Sequence, residues 1–144
     1  MSLNTEVLMI GLVLVTHGGL ADEFRAALEH IMGPQQQIEA IAIRAEYLCR
    51  CDIIEAINRV DSGDGVAILT DMFGGTPSNL AISCMSRPKV DVLAGMNLPM
   101  LVKLAKERQT FPAGGCRHGR GGWSQIRHHR QCVLVAKSVT AVRP

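Results

Sequence analysis

Short runs of β-branched and aliphatic residues alternate with longer helical segments between Met9 and Gln109. This alternation is typical of βαβ units, in which a helix connects two parallel strands. Each short run is apolar nearly throughout, as expected for a strand that helices cover on both faces. We therefore predict an α/β fold with an open doubly wound sheet of about four parallel strands, in the order 2-1-3-4, and helices on both faces. The predicted strands are Ile10–Thr16, Ile38–Ile43, Val66–Thr70 and Val90–Ala94.

The segments between these strands have the apolar spacing and the end signals of amphipathic helices. Turn residues such as Gly33-Pro34 follow the first of them. In the third, Thr76 is expected to be the N-cap and Pro77 the first helical residue, an arrangement that helix starts favour. The predicted helices are Leu20–Ile31, Cys51–Val60, a third from its N-cap Thr76 to about Met85, and a fourth from about Leu98 to about Arg108.

The longest apolar stretch, Val7–Val15, is too short to span a membrane, since a span needs roughly 20 apolar residues. It also lacks the positively charged leader and the cleavage site of a signal peptide, so it is interpreted as a buried strand. We therefore expect a cytoplasmic protein with no direct membrane insertion. Residues 1–8 are interpreted as an added leader, because Met9 would make a natural start.

The cysteines are odd in number and lack the spacing of a disulfide framework or of zinc knuckles. Cys49 and Cys51 could bind a soft metal, but alternate residues point apart on a strand and are poorly placed on a helix. We therefore expect free thiols in a reducing compartment and no metal site. The five cysteines are Cys49, Cys51, Cys84, Cys116 and Cys132.

The composition changes abruptly near Pro112. All 13 acidic residues lie in residues 1–112, which carry a net charge of −4, whereas residues 113–144 hold six Lys/Arg and no acid. We interpret 1–112 as one domain and 113–144 as an atypical basic tail rich in Gly, Arg and His, produced either by a reading-frame shift or by a native extension. Cys132–Val135 and Ser138–Val142 could supply an additional antiparallel edge strand. No nucleic-acid partner is expected.

Two polar loops follow neighbouring strands of the predicted sheet. Thr16–Gly19 follows the first strand and Thr70–Asn79 follows the third. Ligands of open parallel sheets bind at the carboxyl ends of the strands, beside the point where the strand order reverses. With the order 2-1-3-4 the two loops face each other, and His17 can meet Asp71.

This pairing of side chains suits a phosphoryl group. A neutral imidazole is nucleophilic, and a carboxylate that accepts one ring N–H leaves the other ring nitrogen free to attack phosphorus in line. His17 is the candidate nucleophile and Asp71 the candidate carboxylate. The glycines let backbone approach a ligand, and two helix N-termini favour an anion. Taken alone, His17 could be a solvated loop residue and Asp71 a turn cap.

Three segments carry a resemblance to a known family: Ile10–Gly18 (IGLVLVTHG), Thr70–Asn79 (TDMFGGTPSN) and Gly95–Leu101 (GMNLPML). In this order and spacing they resemble the signature segments of enzyme IIA components of the mannose-type (mannose/fructose/sorbose) sugar phosphotransferase system. The resemblance covers about residues 9–109. It is specific because three motifs agree, not one.

The resemblance implies a phosphotransferase with a phosphohistidine intermediate. His17 would accept the phosphoryl group from the phosphocarrier protein HPr and pass it to an enzyme IIB partner, while Asp71 orients the imidazole. Because donor and product are both phosphohistidines, no metal and no cofactor is expected. The resemblance also implies a homodimer. The loop residues that it places near the phosphoryl group are Thr16, Gly18, Thr70, Gly74, Gly75 and Thr76.

Other functions are compatible with some of these features. A regulatory protein of the same family, phosphorylated on His17 to change its partners and not coupled to sugar transport, would have the same sequence features. The phosphocarrier domain of phosphoenolpyruvate-dependent dihydroxyacetone kinases is related, although Gly74–Pro77 favours the mannose type. A nucleotide-binding enzyme is disfavoured, because the sequence has neither a G-x-G-x-x-G fingerprint nor a Walker-type loop with lysine.

Overall fold

The computed structural model describes residues 9–43 and 49–110. Strands and helices alternate along this part of the chain, as the sequence predicts. The elements are β1 (Gly11–His17), α1 (Leu20–Met32), β2 (Ile38–Ile43), α2 (Arg50–Val60), β3 (Val66–Thr70), α3 (Thr76–Ser83), a short 3-10 helix (Cys84–Ser86), β4 (Val90–Ala94) and α4 (Leu98–Thr110).

The strands form one sheet in the order β2-β1-β3-β4, and all three pairings are parallel. The predicted α/β fold and strand order are confirmed. The register aligns the carboxyl ends of neighbouring strands: His17 is opposite Ile43 on β2, and Val15 is opposite Thr70 on β3. The loops after β1 and β3 therefore leave the same edge of the sheet side by side.

Helices cover both faces of the sheet. Leu12 and Leu14 of β1 point to the layer of α1 and α4, while Val13 and Val15 point to the layer of α2 and α3. All four side chains are buried, which explains why β1 is apolar at every position before Thr16. Period-two alternation of side chains along a strand thus divides the core into two layers.

Gly11 shows how closely one of these helices packs. A Cβ atom on Gly11 would lie 2.5 Å from the carbonyl oxygen of Val60, the last residue of α2. The end of α2 therefore approaches the beginning of β1 too closely for any side chain at this position. The glycine that interrupts the apolar run Val7–Val15 is required by this contact.

Arg108 is a buried cation at the opposite edge of the sheet from His17. Its guanidinium donates hydrogen bonds from Nη1 to the carbonyl oxygens of Ile10 and Gln37, and from Nη2 to the carbonyl of Gln36 and the side-chain oxygen of Gln35. Burial lowers the pKa of Arg108 to about 10, so the side chain remains charged at neutral pH. It attaches the end of α4 to the segments that enter β1 and β2.

Most element ends lie within one or two residues of the sequence predictions, and two of the differences affect the site. β1 includes His17, because the N–H of Gly18 continues the pairing with β2 by donating to the carbonyl of Ile43. The N-cap of α3 is Gly75 and not Thr76, which is instead the first helical residue. Any side chain at Gly75 would collide with the His17 ring, so a larger cap residue does not fit there.

The expectation of free thiols is wrong for Cys49 and Cys51, which form a disulfide. Cys49 has extended backbone before α2, whereas Cys51 lies in its first turn. The Cα atoms of the two cysteines are 5.2 Å apart at this change of backbone conformation, within the range that a disulfide bridges. Cys84 is free, as expected, and its side chain is buried.

Several predictions fall on parts of the chain that the structure does not describe. They are the leader at residues 1–8, the basic tail at residues 113–144 with Cys116 and Cys132, and the two C-terminal strand candidates. These remain predictions from the sequence.

Candidate functional site

His17 and Asp71 are in direct contact at the carboxyl edge of the sheet. Nδ1 of His17 lies 2.8 Å from Oδ2 of Asp71, and the backbone N–H of His17 donates to the same oxygen at 3.0 Å. The other carboxylate oxygen, Oδ1, accepts the backbone N–H of Met72 at 2.9 Å. Both oxygens of the carboxylate are therefore fixed, one by the last residue of β1 and the other by the loop that follows β3.

These hydrogen bonds determine the charge of Asp71. Partial burial raises the pKa of this carboxyl group, but the backbone N–H of His17, the His17 ring and the Met72 N–H together lower it below its usual value. Asp71 is consequently ionised at neutral pH and can only accept hydrogen bonds. In the neutral imidazole of His17, Nδ1 must then carry the proton that is shared with Oδ2, and Nε2 has the lone pair.

The imidazole of His17 is more exposed than the carboxylate that it contacts. The His17 side chain is 48% exposed, whereas that of Asp71 is only 12% exposed. Among the described residues, Nε2 has no hydrogen-bond partner, since the contact with Asp71 uses Nδ1. The site thus combines a half-exposed imidazole with a carboxylate that lies largely beneath the surface.

The N-terminus of α3 lies beside Nε2. A Cβ atom on Gly75 would be 2.8 Å from Cε1 and 3.1 Å from Nε2 of His17. Gly74 has a φ of 87°, which lets the loop turn into the helix at this point. Thr76 is exposed at the first helical position, next to Pro77. The unpaired N–H groups of a helix start favour an anion, so a phosphoryl group on Nε2 would meet favourable backbone dipoles.

Two of the residues that the sequence assigns to the phosphoryl loops, Thr16 and Thr70, are buried. Thr16 accepts a hydrogen bond from the N–H of Ala21 at 2.7 Å, so its hydroxyl holds the beginning of α1. Thr70 is fully buried, and its hydroxyl has no partner in the described part of the chain. Gly18 adopts a φ of 52° where β1 turns into α1. Thr16 and Thr70 therefore lie beneath the surface, while Gly18 and Thr76 are exposed at it.

The segment Gly95–Leu101, the third that resembles the family, contacts the residue before Asp71. The N–H of Met96 donates to the carbonyl of Thr70 at 3.0 Å, directly before Asp71. Asn97 then accepts the N–H of Met100 and caps α4. This segment thus connects the carboxyl ends of β3 and β4, a role that its sequence alone did not reveal.

Exposed apolar side chains near the histidine were not predicted as part of the site. Leu20, Met72 and Phe73 are 48%, 55% and 50% exposed, and they belong to the same two loops as His17 and Asp71 or follow them directly. Three large apolar side chains in solvent beside one polar site are typical of a surface that binds another macromolecule. The only signal in the sequence was their position next to Asp71 and Gly19.

Neither a metal cluster nor a membrane helix involves this site. Within residues 9–43 and 49–110, the one group of three side chains close enough to hold a metal ion is Cys49, Cys51 and Asp52, and it does not include His17. None of the helices in the same residues is both long and apolar enough to pass through a bilayer.

Comparison with known sequences identifies relatives of this chain. Residues 11–118 match the family described as PTS system fructose IIA component (EIIA-man). The mannose-specific EIIAB component of Escherichia coli (strain K12) is 32% identical over 113 residues, which are 72% of this chain and 33% of that protein. The chain therefore spans about a third of the length of this relative. The sorbose-specific EIIA component of Lacticaseibacillus casei is 31% identical over 97 residues, or 65% of this chain and 70% of that one.

Solved structures agree with the fold. The PTS IIA protein associated with the fucose utilization operon from Streptococcus pneumoniae superposes with a TM-score of 0.71 at 22% identity, over 94% of this chain and 98% of that one. The EIIA component from Streptococcus agalactiae gives a TM-score of 0.62 at 26% identity, over 92% and 93% of the two chains. With a family match over residues 11–118, the chain belongs to the mannose-type enzyme IIA family (EIIA-man) of the sugar phosphotransferase system.

Proposed function

We propose that this chain is a phosphocarrier: His17 accepts a phosphoryl group from phospho-HPr and passes it to an enzyme IIB partner in the cytoplasm. The observation that carries the proposal is the bond between Nδ1 of His17 and Asp71, which directs the lone pair of Nε2 outward. Family membership supports a role in sugar phosphotransfer. The expected loop residues around the phosphoryl group are Thr16, Gly18, Thr70, Gly74, Gly75 and Thr76.

The transfer needs no redox change and no additional reactant. The lone pair of Nε2 forms a bond to phosphorus while the bond from phosphorus to the donor imidazole breaks, and the donor nitrogen recovers that electron pair. The His17 ring gains positive charge as the bond forms. Asp71 stabilises this charge through the Nδ1 proton, and the second transfer to enzyme IIB reverses the same steps.

Backbone groups at the beginning of α3 would stabilise the phosphoryl oxygens. Gly75 places the start of α3 beside the His17 ring. Because glycine has no side chain, the space next to Nε2 stays open. A helix N-terminus contributes about 0.3–1 kcal/mol to the binding of an anion at an exposed site. The Thr76 hydroxyl, at the exposed first position of α3, is a further candidate donor.

The apolar side chains around the site fit a macromolecular donor and acceptor. Both partners must bring an imidazole or another protein nucleophile to Nε2, and the exposed side chains of Leu20, Met72 and Phe73 would be covered when they do. A small-molecule substrate would more commonly occupy a concave pocket than be surrounded by solvent-exposed apolar side chains. This surface therefore supports transfer between proteins.

The assembly and the extent of the domain are part of the same proposal. Residues 1–112 would form the phosphocarrier domain, and the family suggests a homodimer. The dimer is supported by family membership alone. Light scattering on the full chain tests it, because a monomer at all concentrations used for the transfer assay would contradict it.

The phosphoryl acceptor is tested with phosphoenolpyruvate, enzyme I and HPr. Wild-type protein should acquire acid-labile, base-stable phosphate, and His17→Ala should acquire none. His30→Ala is the matched control, because His30 is also an exposed histidine but lies on α1 and should label normally. Label retained by His17→Ala would contradict the proposal. Adding enzyme IIB tests the second step, in which the label should leave His17.

A further inference from the structure

The disulfide between Cys49 and Cys51 lies outside the phosphoryl site and has no role in the function proposed for His17. Both residues are exposed, in contrast to Cys84, whose thiol is buried. Solvent and small molecules can therefore reach both sulfurs. Exposed disulfides are more often labile than structural.

The fold does not depend on this bond. It closes a loop with a sequence separation of only two residues, and a short loop gains the least from cross-linking. The helix that follows is held by its own apolar face, since Ile53, Ala56 and Ile57 of α2 are buried against the sheet. Reduction of the disulfide should thus leave α2 in place.

The backbone keeps the two cysteines ready to form the bond again. Their Cα atoms are 5.2 Å apart, within the usual range of about 4.4–6.8 Å for disulfides. The N–H of Cys49 donates to Oδ2 of Asp52 at 2.9 Å, which fixes the chain at the beginning of the helix. The helix N-terminus and the adjacent Arg50 favour thiolates, the form in which cysteine attacks a disulfide. Arg50 is itself held by a hydrogen bond to Ser86.

We propose that Cys49 and Cys51 form a thiol–disulfide exchange site that reacts reversibly with low-molecular-weight disulfides such as glutathione disulfide. One cysteine thiolate attacks a sulfur of the small disulfide, forms a mixed disulfide and releases one small thiolate. The second cysteine then attacks the sulfur of the first and expels the other small thiolate. The two cysteines lose two electrons and two protons in total, and the small disulfide becomes two thiols.

The sequence offers a direct assay for the state of this pair. Trypsin cleaves after Arg50, between the two cysteines, so peptides 45–50 and 51–59 remain joined only when the disulfide is present. Full-length protein is equilibrated in glutathione buffers from fully reducing to fully oxidising. The free thiols are then alkylated in acid-quenched samples before digestion and mass spectrometry without reductant.

The expected result is a reversible change from two alkylated peptides to one linked species as the buffer becomes more oxidising. Cys84 provides an internal reference and should not form adducts while the protein is folded. In Cys51→Ser, Cys49 should retain glutathione as a stable mixed disulfide, because the second thiol is missing. His17→Ala should behave as wild type, which separates this site from the phosphoryl acceptor.

Four results would overturn the proposal. Both cysteines could be alkylated completely at every glutathione ratio, or glutathione adducts could accumulate on Cys49 or Cys51 of the wild type without an internal bond. A disulfide from Cys49 or Cys51 to a second chain would also contradict it. Circular dichroism of the reduced and oxidised forms should be the same, and a loss of helix on reduction would show that the bond is structural instead.

Discussion

Two hydrogen bonds from His17 converge on one oxygen of Asp71, although the two residues are 54 positions apart in the sequence. The backbone N–H and the ring Nδ1 of the same histidine both contact Oδ2, so the imidazole is fixed relative to its own strand. Parallel pairing of β1 with β3 makes this geometry possible, because it places the two strand ends side by side. The orientation of the ring is therefore a property of the sheet as well as of the two side chains.

Asp71→Asn should slow phosphoryl transfer while leaving the fold intact. The amide has nearly the same shape, but it can donate a hydrogen bond to Nδ1 and so favour the tautomer in which Nε2 carries the proton. Loss of a carboxylate that orients an imidazole lowers rates by roughly 10²–10⁴-fold in comparable sites. Rapid-quench measurement of transfer from phospho-HPr tests this. Asp64→Asn, in the loop before β3, is the control and should retain the wild-type rate.

Gly75→Ala should reduce transfer because the added methyl group would occupy the space beside Nε2. The Cβ atom would lie 2.8 Å from Cε1 of His17, closer than side-chain carbons approach, so the ring or the loop must move. We expect a loss of at least about tenfold, since small displacements of reacting groups are costly. Gly19→Ala is the control: Gly19 precedes α1 as Gly75 precedes α3, but a Cβ atom on Gly19 meets nothing within 4 Å. Equal rates for the two variants would contradict the steric explanation.

The sequence was sufficient to predict the sheet and the contact between His17 and Asp71. Three of the four strands have the predicted bounds, because their apolar runs end at turn residues and are buried on both faces. The contact between His17 and Asp71 followed from the strand order alone. Both predictions depend on local patterns, the apolar runs and the turn residues that end them. In an α/β sheet these patterns determine where the carboxyl end of each strand lies.

Features that depend on distances between elements were not predictable in the same way. The cap at Gly75 is decided by the nearby His17 ring, and the bond between Cys49 and Cys51 by a change of backbone conformation at the beginning of α2. The burial of Arg108 is a third example, because a basic residue in the last turn of a helix is ordinarily exposed. In each case the deciding partner lies in another element or in an irregular segment.

The carboxyl group of Asp71 should titrate below its ordinary pKa in the folded protein. Burial raises its pKa, and the hydrogen bonds from His17 and Met72 lower it by more. Its carboxylate therefore stabilises the fold above the unfolded pKa of about 3.9, and this stabilisation is lost as the pH falls through the lower folded pKa. Carbon-detected NMR titration tests the direction. His17→Ala should move the pKa of Asp71 upward, because one of the lowering contacts disappears.

Arg108→Met should destabilise the protein without changing the site directly. The methionine fills much of the same volume, but it cannot donate to the carbonyl oxygens of Ile10 and Gln36 or to the side chain of Gln35. Leaving several buried acceptors without this donor should lower the free energy of unfolding by about 2–4 kcal/mol.

Urea denaturation of the full chain measures this change in the free energy of unfolding. Arg59→Met is the matched control, because the Arg59 side chain is 56% exposed and its ion pairs with Glu39 and Glu55 lie at the surface. Exposed pairs of this kind contribute about 0–1 kcal/mol, so the control should change little. If both variants lost the same small amount of stability, the hydrogen bonds of Arg108 would not be holding α4 to the sheet. A larger loss for Arg108→Met alone would show that this buried cation holds the end of α4 against the segments leading into β1 and β2.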